Sequence, residues 1–423
     1  MFILITHAFS LEQKGDSALL AGTISQMRKA FPGARIEAQI MGHTTASQEY
    51  KNAPVMESVI YIATVPDINK LFRLFRMGYV LAITLLWAWI VRFTGRSFRL
   101  GMSPVMYRSC QAIYLADLVV PVAGGYLAGA PGFGETLNMV FIVLPLWLAH
   151  IIRKPVVHFS QSIGPFSNRL QRWLVQGPLR RARLVITRES VSTDFALGLG
   201  VDPGRLEQSI DAGFLFEPEK NFRMLDVLDG PERRDVEKSL VGITSKKHLG
   251  PTEQIRYEQE LAAFADYVCS KLGMQVVYIP QVTSSELAQD DRVLNRRLYE
   301  LMACKSNAFL IEKNLTNHET KALIDQLDFM VGTRFHSVIF ALTGYVPAIG
   351  LEYEHKTSGI LRDLGLEHWM IKMADLRAPE LEKLFDQLVA GRQEYLAHLR
   401  RVMPDYLERV DKVRGRLRTV LVD

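Results

Sequence analysis

Residues 329–356 read FMVGTRFHSVIFALTGYVPAIGLEYEHK. Two short apolar runs, 329–331 and 348–351, flank one helical stretch at 336–342, with Gly332 and Gly344 near its ends. A strand, a helix and a second strand in so short a space predict a parallel crossover, because antiparallel neighbours would need only a hairpin. Outward from this unit the alternation repeats. Strands are expected at 240–244, 275–279 and 309–311, with helices centred on 254–272, 285–302 and 317–326. Towards the amino terminus, strands at 2–6, 36–40, 118–122, 156–159 and 184–187 alternate with helices at 16–30, 133–151, 169–181 and 190–199. Such alternation means parallel sheets covered on both faces. The expected fold is α/β, with two doubly wound Rossmann-like domains facing a cleft. The expected bounds are 1–216 for the first domain, 217–235 for a linker, 236–378 for the second domain and 379–423 for a charged helical tail. The linker is assigned where Pro218, Gly230, Pro231 and many charges interrupt both periodicities.

A chain of 423 residues suits two domains, and 48% hydrophobic with 22% charged residues excludes a disordered polypeptide. The net charge of +5 is a small excess, not a basic arm. Its nearest cluster, Arg169, Arg172, Arg180, Arg181 and Arg183, reads as a solvated helix face, so nucleic acid is not an expected partner; an anionic membrane surface ranks next. Cys110, Cys269 and Cys304 are odd in number and far apart, which fits reduced thiols in a cytoplasmic protein. The opening MFILITH has no cationic segment before its apolar run and reads as a buried first strand, not a signal peptide.

Two apolar stretches bear on localisation. Residues 77–91, MGYVLAITLLWAWIV, carry no charge and lie between Arg73, Arg76 and Arg92, Arg96; residues 136–152 are also uncharged and contain Pro145. The first stretch is shorter than the roughly 20 residues that span hydrocarbon. Buried helices of a large core are the leading reading. An interfacial helix with Trp87 and Trp89 at headgroup level is the second, and a true span is the last. Localisation is therefore expected to be cytoplasmic, with peripheral contact at the inner face of the membrane left open.

In open parallel sheets, ligands bind beyond the carboxyl ends of strands. Asp16 follows Gly15 after the first strand, where it either caps a helix or holds a sugar hydroxyl. Gly124 and Gly125 follow the 118–122 strand; they either offer amides to an anion or serve a tight turn. Arg188, just past the 184–187 strand, either grips a carboxylate or phosphate or forms a salt bridge to Glu189 or another acid. Gly332-Thr333-Arg334-Phe335-His336 is the strongest group: a guanidinium and an imidazole two residues apart at the opening of a helix. Lys356 follows the next strand and can add a second cation. There is no Walker lysine loop, no intact Gly-x-Gly-x-x-Gly after a strand, no nucleophile elbow and no zinc spacing. A reaction with no metal and no cofactor is expected.

At these residues the chain resembles the polysaccharide pyruvyl transferase family. The resemblance rests on Gly15-Asp16, Gly124-Gly125, the 161–165 stretch QSIGP, Arg188-Glu189-Ser190, Asp211, the 332–336 motif, Gly344, Pro347 and the residues from Tyr353 to Lys356. It spans roughly residues 1–365, and Gln13 stands where the family often has Asn. It implies a fold similar to the two-domain glycosyltransferase B type, with the first domain on the acceptor side and the second on the donor side. It further implies transfer of a pyruvyl group from phosphoenolpyruvate to two hydroxyls of a sugar in an exopolysaccharide, cell-surface polysaccharide or lipid-linked precursor, forming a cyclic ketal and releasing phosphate. In that reading Arg334, Arg188, Lys356, Gly124 and Gly125 bind the donor, His336 and Arg334 are catalytic, and Asp16 binds the acceptor. Two alternatives stay open: a nucleotide-sugar glycosyltransferase on the same scaffold, and a non-catalytic scaffold of a membrane polysaccharide assembly complex.

Overall fold

A computed structural model describes residues 1–9, 14–42, 49–50, 53–65, 70–283 and 290–419. The chain forms two compact units: Met1–Leu11, Leu19–Ala212 and Arg409–Asp423 make the first, and Glu12–Ala18 with Gly213–Glu408 the second.

The chain first runs through β1 (Phe2–Ala8), α1 (Lys14–Ala30), β2 (Arg35–Ile40), β3 (Glu49–Tyr50), β4 (Ala53–Glu57), α2 (Val59–Thr64), α3 (Lys70–Thr94) and α4 (Pro104–Leu115). It continues through β5 (Leu118–Pro121), β6 (Gly124–Gly129), α5 (Phe133–Ile151), β7 (Val157–Phe166), α6 (Arg169–Arg181), β8 (Leu184–Thr187), α7 (Ser190–Gly198) and β9 (Leu206–Gln208). One sheet has the order β3-β4-β2-β1-β5 and the other β6-β7-β8-β9. A parallel bridge between Val119 and Val156 connects β5 to the chain entering β7. Apart from the short β3–β4 pair, the described pairings in this unit are parallel. The strand sequences LVVP in β5 and LVIT in β8 are buried throughout. They show no polar alternation because helices cover both faces.

Five strands, β3, β4, β6, β9 and β15 (Met370–Lys372), were not expected from sequence. β6 has the sequence GGYLAG, in which glycine signals a loop, yet pairing with β7 holds it extended through two register shifts. β9 is only three residues long and pairs along β8. Helix α1 starts at Lys14, so Asp16 lies in its first turn and not at its cap. Gln13 lies outside the described residues, as do the first residues of the helix expected at 285–302.

The apolar run at 77–91 belongs to a 25-residue helix, α3. Its inward face carries Met77, Val80, Thr84, Trp87, Ala88 and Val91, in one core with residues of α2, α4 and α5. Trp87 is fully buried and its indole donates to Ser97 Oγ at 3.1 Å. Placing it at a headgroup level is therefore wrong; of the two tryptophans only Trp89 is exposed. The neighbouring apolar run, in α5, buries Phe141, Val143, Leu144, Leu146 and Leu148.

The second unit comprises β10 (Leu240–Thr244), α8 (Pro251–Ser270), β11 (Gln275–Tyr278), α9 (Asp291–Leu301), β12 (Ala308–Leu310), α10 (Asn317–Ile324) and β13 (Phe329–Gly332). It continues with α11 (Phe335–Thr343), β14 (Ala348–Glu352), α12 (His355–Asp363), β15 (Met370–Lys372), α13 (Ala378–Ala390) and α14 (Arg392–Thr419). Its sheet is parallel in the order β12-β11-β10-β13-β14-β15. Numbered within the unit, this is the 3-2-1-4-5-6 order of a dinucleotide-type doubly wound sheet. The direction of winding reverses between β10 and β13, which opens a crevice at their carboxyl ends. The stretch 217–235 falls inside this unit, where Leu228 bridges Ile311 and the Glu219 amide donates to His318 O at 2.9 Å. The final turns of α14 belong to the first unit, where Arg414 donates to Gln26 at 3.0 Å and Arg416 pairs with Glu207.

Candidate active site

In the second unit, the loops after β10, β13 and β14 bring cations together at the winding reversal. Thr244 closes β10, and its hydroxyl accepts from the Arg334 amide at 3.2 Å and lies 2.8 Å from Ser337 Oγ. Ser337 in turn donates to Arg334 O at 2.6 Å, and Tyr257 OH lies 2.7 Å from Thr333 Oγ1. These bonds hold the turn from β13 into α11 on the end of its neighbour strand. The turn also requires a bare Gly332: a Cβ there would sit 2.7 Å from Val338 Cγ2 and 2.8 Å from Ser337 Oγ.

Arg334 makes a two-pronged pair with Asp291, Nε to Oδ2 at 3.1 Å and Nη2 to Oδ1, while 17% of its side chain stays exposed. Asp291 is itself fixed by the amides of Gln281 and Val282 at 3.0 and 2.9 Å. Lys246, two residues past β10, holds its ammonium 3.5 Å from the Tyr353 ring centroid. Lys356 Nζ approaches the same ring at 5.6 Å and the Phe335 ring at 5.3 Å, and pairs with Glu354 at 2.7 Å. The His248 ring lies 4.9 Å from Tyr353. Burial lowers the Lys246 pKa, and the Arg334 charge lowers it further against the pull of Tyr353 and Glu354. Burial also lowers His248, with Lys246, Lys356 and Arg334 adding to the effect and Glu354 opposing it. Burial beside other cations is the shared cause, and it places several positive groups around one polar surface. His336 lies half-buried in the first turn of α11, its ring edge-on to Phe335. Arg334, His336 and Lys356 are thus brought to one sheet edge, as strand-end reasoning expected. Lys246, His248 and the partner carboxylate Asp291 were missed, although the sequence TSKKH at 244–248 directly after a strand was a readable signal.

In the first unit, Arg188 follows β8 and is 1% exposed. Its Nη1 meets Asp211 Oδ2 at 2.5 Å, its Nε donates to Ser162 Oγ at 2.6 Å, and Glu189 Oε2 lies 3.6 Å away. Glu189 also accepts from Ser162 at 3.0 Å and from Ser192. Burial raises the Glu189 pKa, with Arg188 opposing. An expected grip on a ligand anion therefore meets a guanidinium already paired with two acids. Gly125 is exposed above it, and a Cβ there would stand 3.4 Å from Arg188 Nη2. Glycine leaves only a thin layer of backbone over the buried charge. Gly124 is buried at the start of β6. Two residues on, Tyr126 stacks on His7 with centroids 4.7 Å apart and donates to Val122 O at 3.0 Å. His7 Nε2 lies 2.7 Å from Ile142 O, so the proton sits on Nε2 and Nδ1 accepts from Thr6. Burial pushes its pKa down to about 4.

Asp16 stands apart from both groups in sequence. It lies in the 12–18 stretch that groups with the second unit, and its side chain is not among those described. Among the described residues, no three His, Cys, Asp or Glu side chains are placed to hold a metal ion.

Two parallel α/β units, one wound in dinucleotide-type order with cations at its reversal, define a two-domain α/β protein of the glycosyltransferase B fold type. Residues 14–355 match the family model for polysaccharide pyruvyl transferase, and the chain belongs to that family of transferases. The chain is 22% identical over 385 residues to the amylovoran biosynthesis protein AmsJ of Erwinia amylovora, covering 86% of each. Among solved structures it is similar to the UDP-GlcNAc 2-epimerase of Neisseria meningitidis bound to UDP-GlcNAc, with a TM-score of 0.59, 11% identity and 99% of each chain covered. Anabaena HepE in complex with UDP-glucose gives a TM-score of 0.59 at 12% identity, covering 100% of this chain and 99% of that one. At these identities the likeness shows the fold alone.

Proposed function

We propose that this transferase moves the pyruvyl group of phosphoenolpyruvate onto two hydroxyls of one sugar, forming a cyclic ketal and releasing phosphate. The acceptor is the sugar of an exopolysaccharide or of its lipid-linked precursor, in keeping with the role of AmsJ in amylovoran biosynthesis. One observation carries the reading: Lys246 and Lys356 converge on the Tyr353 ring at the carboxyl edge of the second sheet, with the Arg334 charge close enough to act on Lys246. Phosphoenolpyruvate presents a carboxylate and a phosphate, and two such anionic groups need at least two cationic holds.

The chemistry then follows. A proton added to the methylene carbon makes the methyl group and leaves an oxocarbenium-like centre, which the first sugar hydroxyl attacks. Phosphate departs with the C–O electron pair, and the second hydroxyl closes the ketal. Two O–H bonds become two C–O bonds; one proton ends on carbon and the other on phosphate. His336 is assigned the proton transfer, Arg334 and Lys246 the carboxylate, and Lys356 the phosphate. Asp16 is assigned to the acceptor.

The test is to incubate the purified protein with phosphoenolpyruvate and a saccharide acceptor, following phosphate release together with the ketal methyl signal by NMR. Matched appearance of both is expected; phosphate without ketal, or neither with a competent acceptor, overturns the assignment. Because related folds bind UDP sugars, the same preparation is compared by thermal shift with phosphoenolpyruvate and with UDP-glucose. Selective stabilisation by UDP-glucose would favour nucleotide-sugar transfer.

A further inference from the structure

Helix α3 has two apolar faces, and the core accounts for one. On the other, Leu71, Phe75, Tyr79, Ala82, Leu86, Trp89 and Phe93 recur every three or four residues and are exposed, Leu71 at 77%, Phe75 at 73% and Phe93 at 79%. Trp89 and Phe93 stack on each other at 5.7 Å, in solvent. A contiguous apolar stripe of this size on a soluble surface marks a binding face.

Charge indicates the partner. Between Asp67 and Asp117 the chain has seven Lys and Arg residues and no Asp or Glu, whereas the whole chain is only +5, so the remainder is net negative. Lys70 and Arg96 are exposed near the two ends of the helix, and Phe98 and Arg99 extend the exposed set. Among the described residues, Arg92, Arg96 and Arg108 lie in no ion pair. A second copy of this chain would bring that cationic set against itself. An anionic bilayer surface complements it, with aromatic rings at the acyl boundary and arginines at the headgroups. The helix does not cross the bilayer, because Trp87, Val80 and Val91 lock its other face into the protein core.

We infer that the outward face of α3 docks this enzyme on an anionic membrane surface, lying in the plane of the interface. This goes beyond pyruvyl transfer and does not rest on it. The test is co-sedimentation of the full chain with phosphatidylcholine vesicles and with phosphatidylcholine–phosphatidylglycerol vesicles. Binding at least about tenfold tighter to the anionic vesicles, weakened by salt, is expected. A blue shift of tryptophan emission on binding should disappear in Trp89→Phe. The triple variant Phe75→Glu, Trp89→Glu, Phe93→Glu changes only exposed side chains; it should lose binding by about tenfold or more while keeping its turnover of a short soluble acceptor. Absence of vesicle binding, equal binding to both compositions or undiminished binding by the triple variant would each overturn the inference. So would a dimer that the triple variant dissociates, or retention in the membrane through an alkaline carbonate wash, which would mean insertion.

Discussion

Arg334 and Arg188 both stand just past a parallel strand, yet the residues around them give them different physics. Arg188 sits among two carboxylates with almost no exposure, so Arg188→Met should leave Asp211 and Glu189 as uncompensated buried charge. A loss of about 3–5 kcal/mol in urea unfolding is expected. Arg334 answers one carboxylate and lies near two other cations, so Arg334→Ala should raise the KM for phosphoenolpyruvate by about 10- to 100-fold, the worth of a charge-assisted pair. His336→Gln should chiefly lower kcat, by about 10²–10⁴. Steady-state kinetics separates the two effects, and unchanged kinetics in both variants would overturn the site assignment while leaving the reaction in place. The Gly332 to His336 motif was legible because a glycine turn, an arginine and a histidine after an apolar run have few joint explanations. Whether Arg188 faced ligand or acid was not legible, since Asp211 is 23 residues away in sequence and only folding places it at 2.5 Å.

Among the elements, α3 separates what an apolar run reveals from what it conceals. Its lack of charge was plain, but the assignment of its tryptophans needed the packed structure. Trp87→Ala should cost about 3–5 kcal/mol through an internal cavity, while Trp89→Ala should stay within about 0.5 kcal/mol; chemical denaturation of the two variants measures the contrast. β6 shows the opposite failure. Its Gly-Gly opening resembles a turn, and only the partner strand β7 makes it extended. Intrinsic preference in strands is weaker than the tertiary pairing that overrides it.

For the whole molecule, two buried histidines, His7 and His158, and the half-buried His150 link stability to pH. Burial drives His7 and His150 to about 4 and His158 to about 3, and neither ring nitrogen of His158 has a hydrogen-bond partner among the described residues. All three stay neutral in the fold, whereas the unfolded imidazoles take up protons below about pH 6.5. Their lowered pKa values therefore carry no proton-linked cost above that pH, and stability is lost as pH falls from there towards 4. The urea midpoint should drop between about pH 7 and about pH 5. His158→Leu should flatten that drop and, by removing unsatisfied polar atoms, raise the midpoint at neutral pH. Phosphoenolpyruvate at about 100 times its Kd should stabilise the protein by about 2.7 kcal/mol if it binds only the folded state, measured as a shift of the same midpoint.

The sequence by itself determined the α/β class, the alternation that makes parallel sheets, the strand-end motifs and hence the family, because these depend on local period and on residues adjacent in the chain. Tertiary structure alone decided the 3-2-1-4-5-6 order that sets Lys246 beside Arg334, the closing of Arg188 onto Asp211, and the division of α3 into a core face and an open one. Each of these depends on groups distant in sequence meeting at ångström range, where burial and Coulomb energy act and where local pattern carries no information.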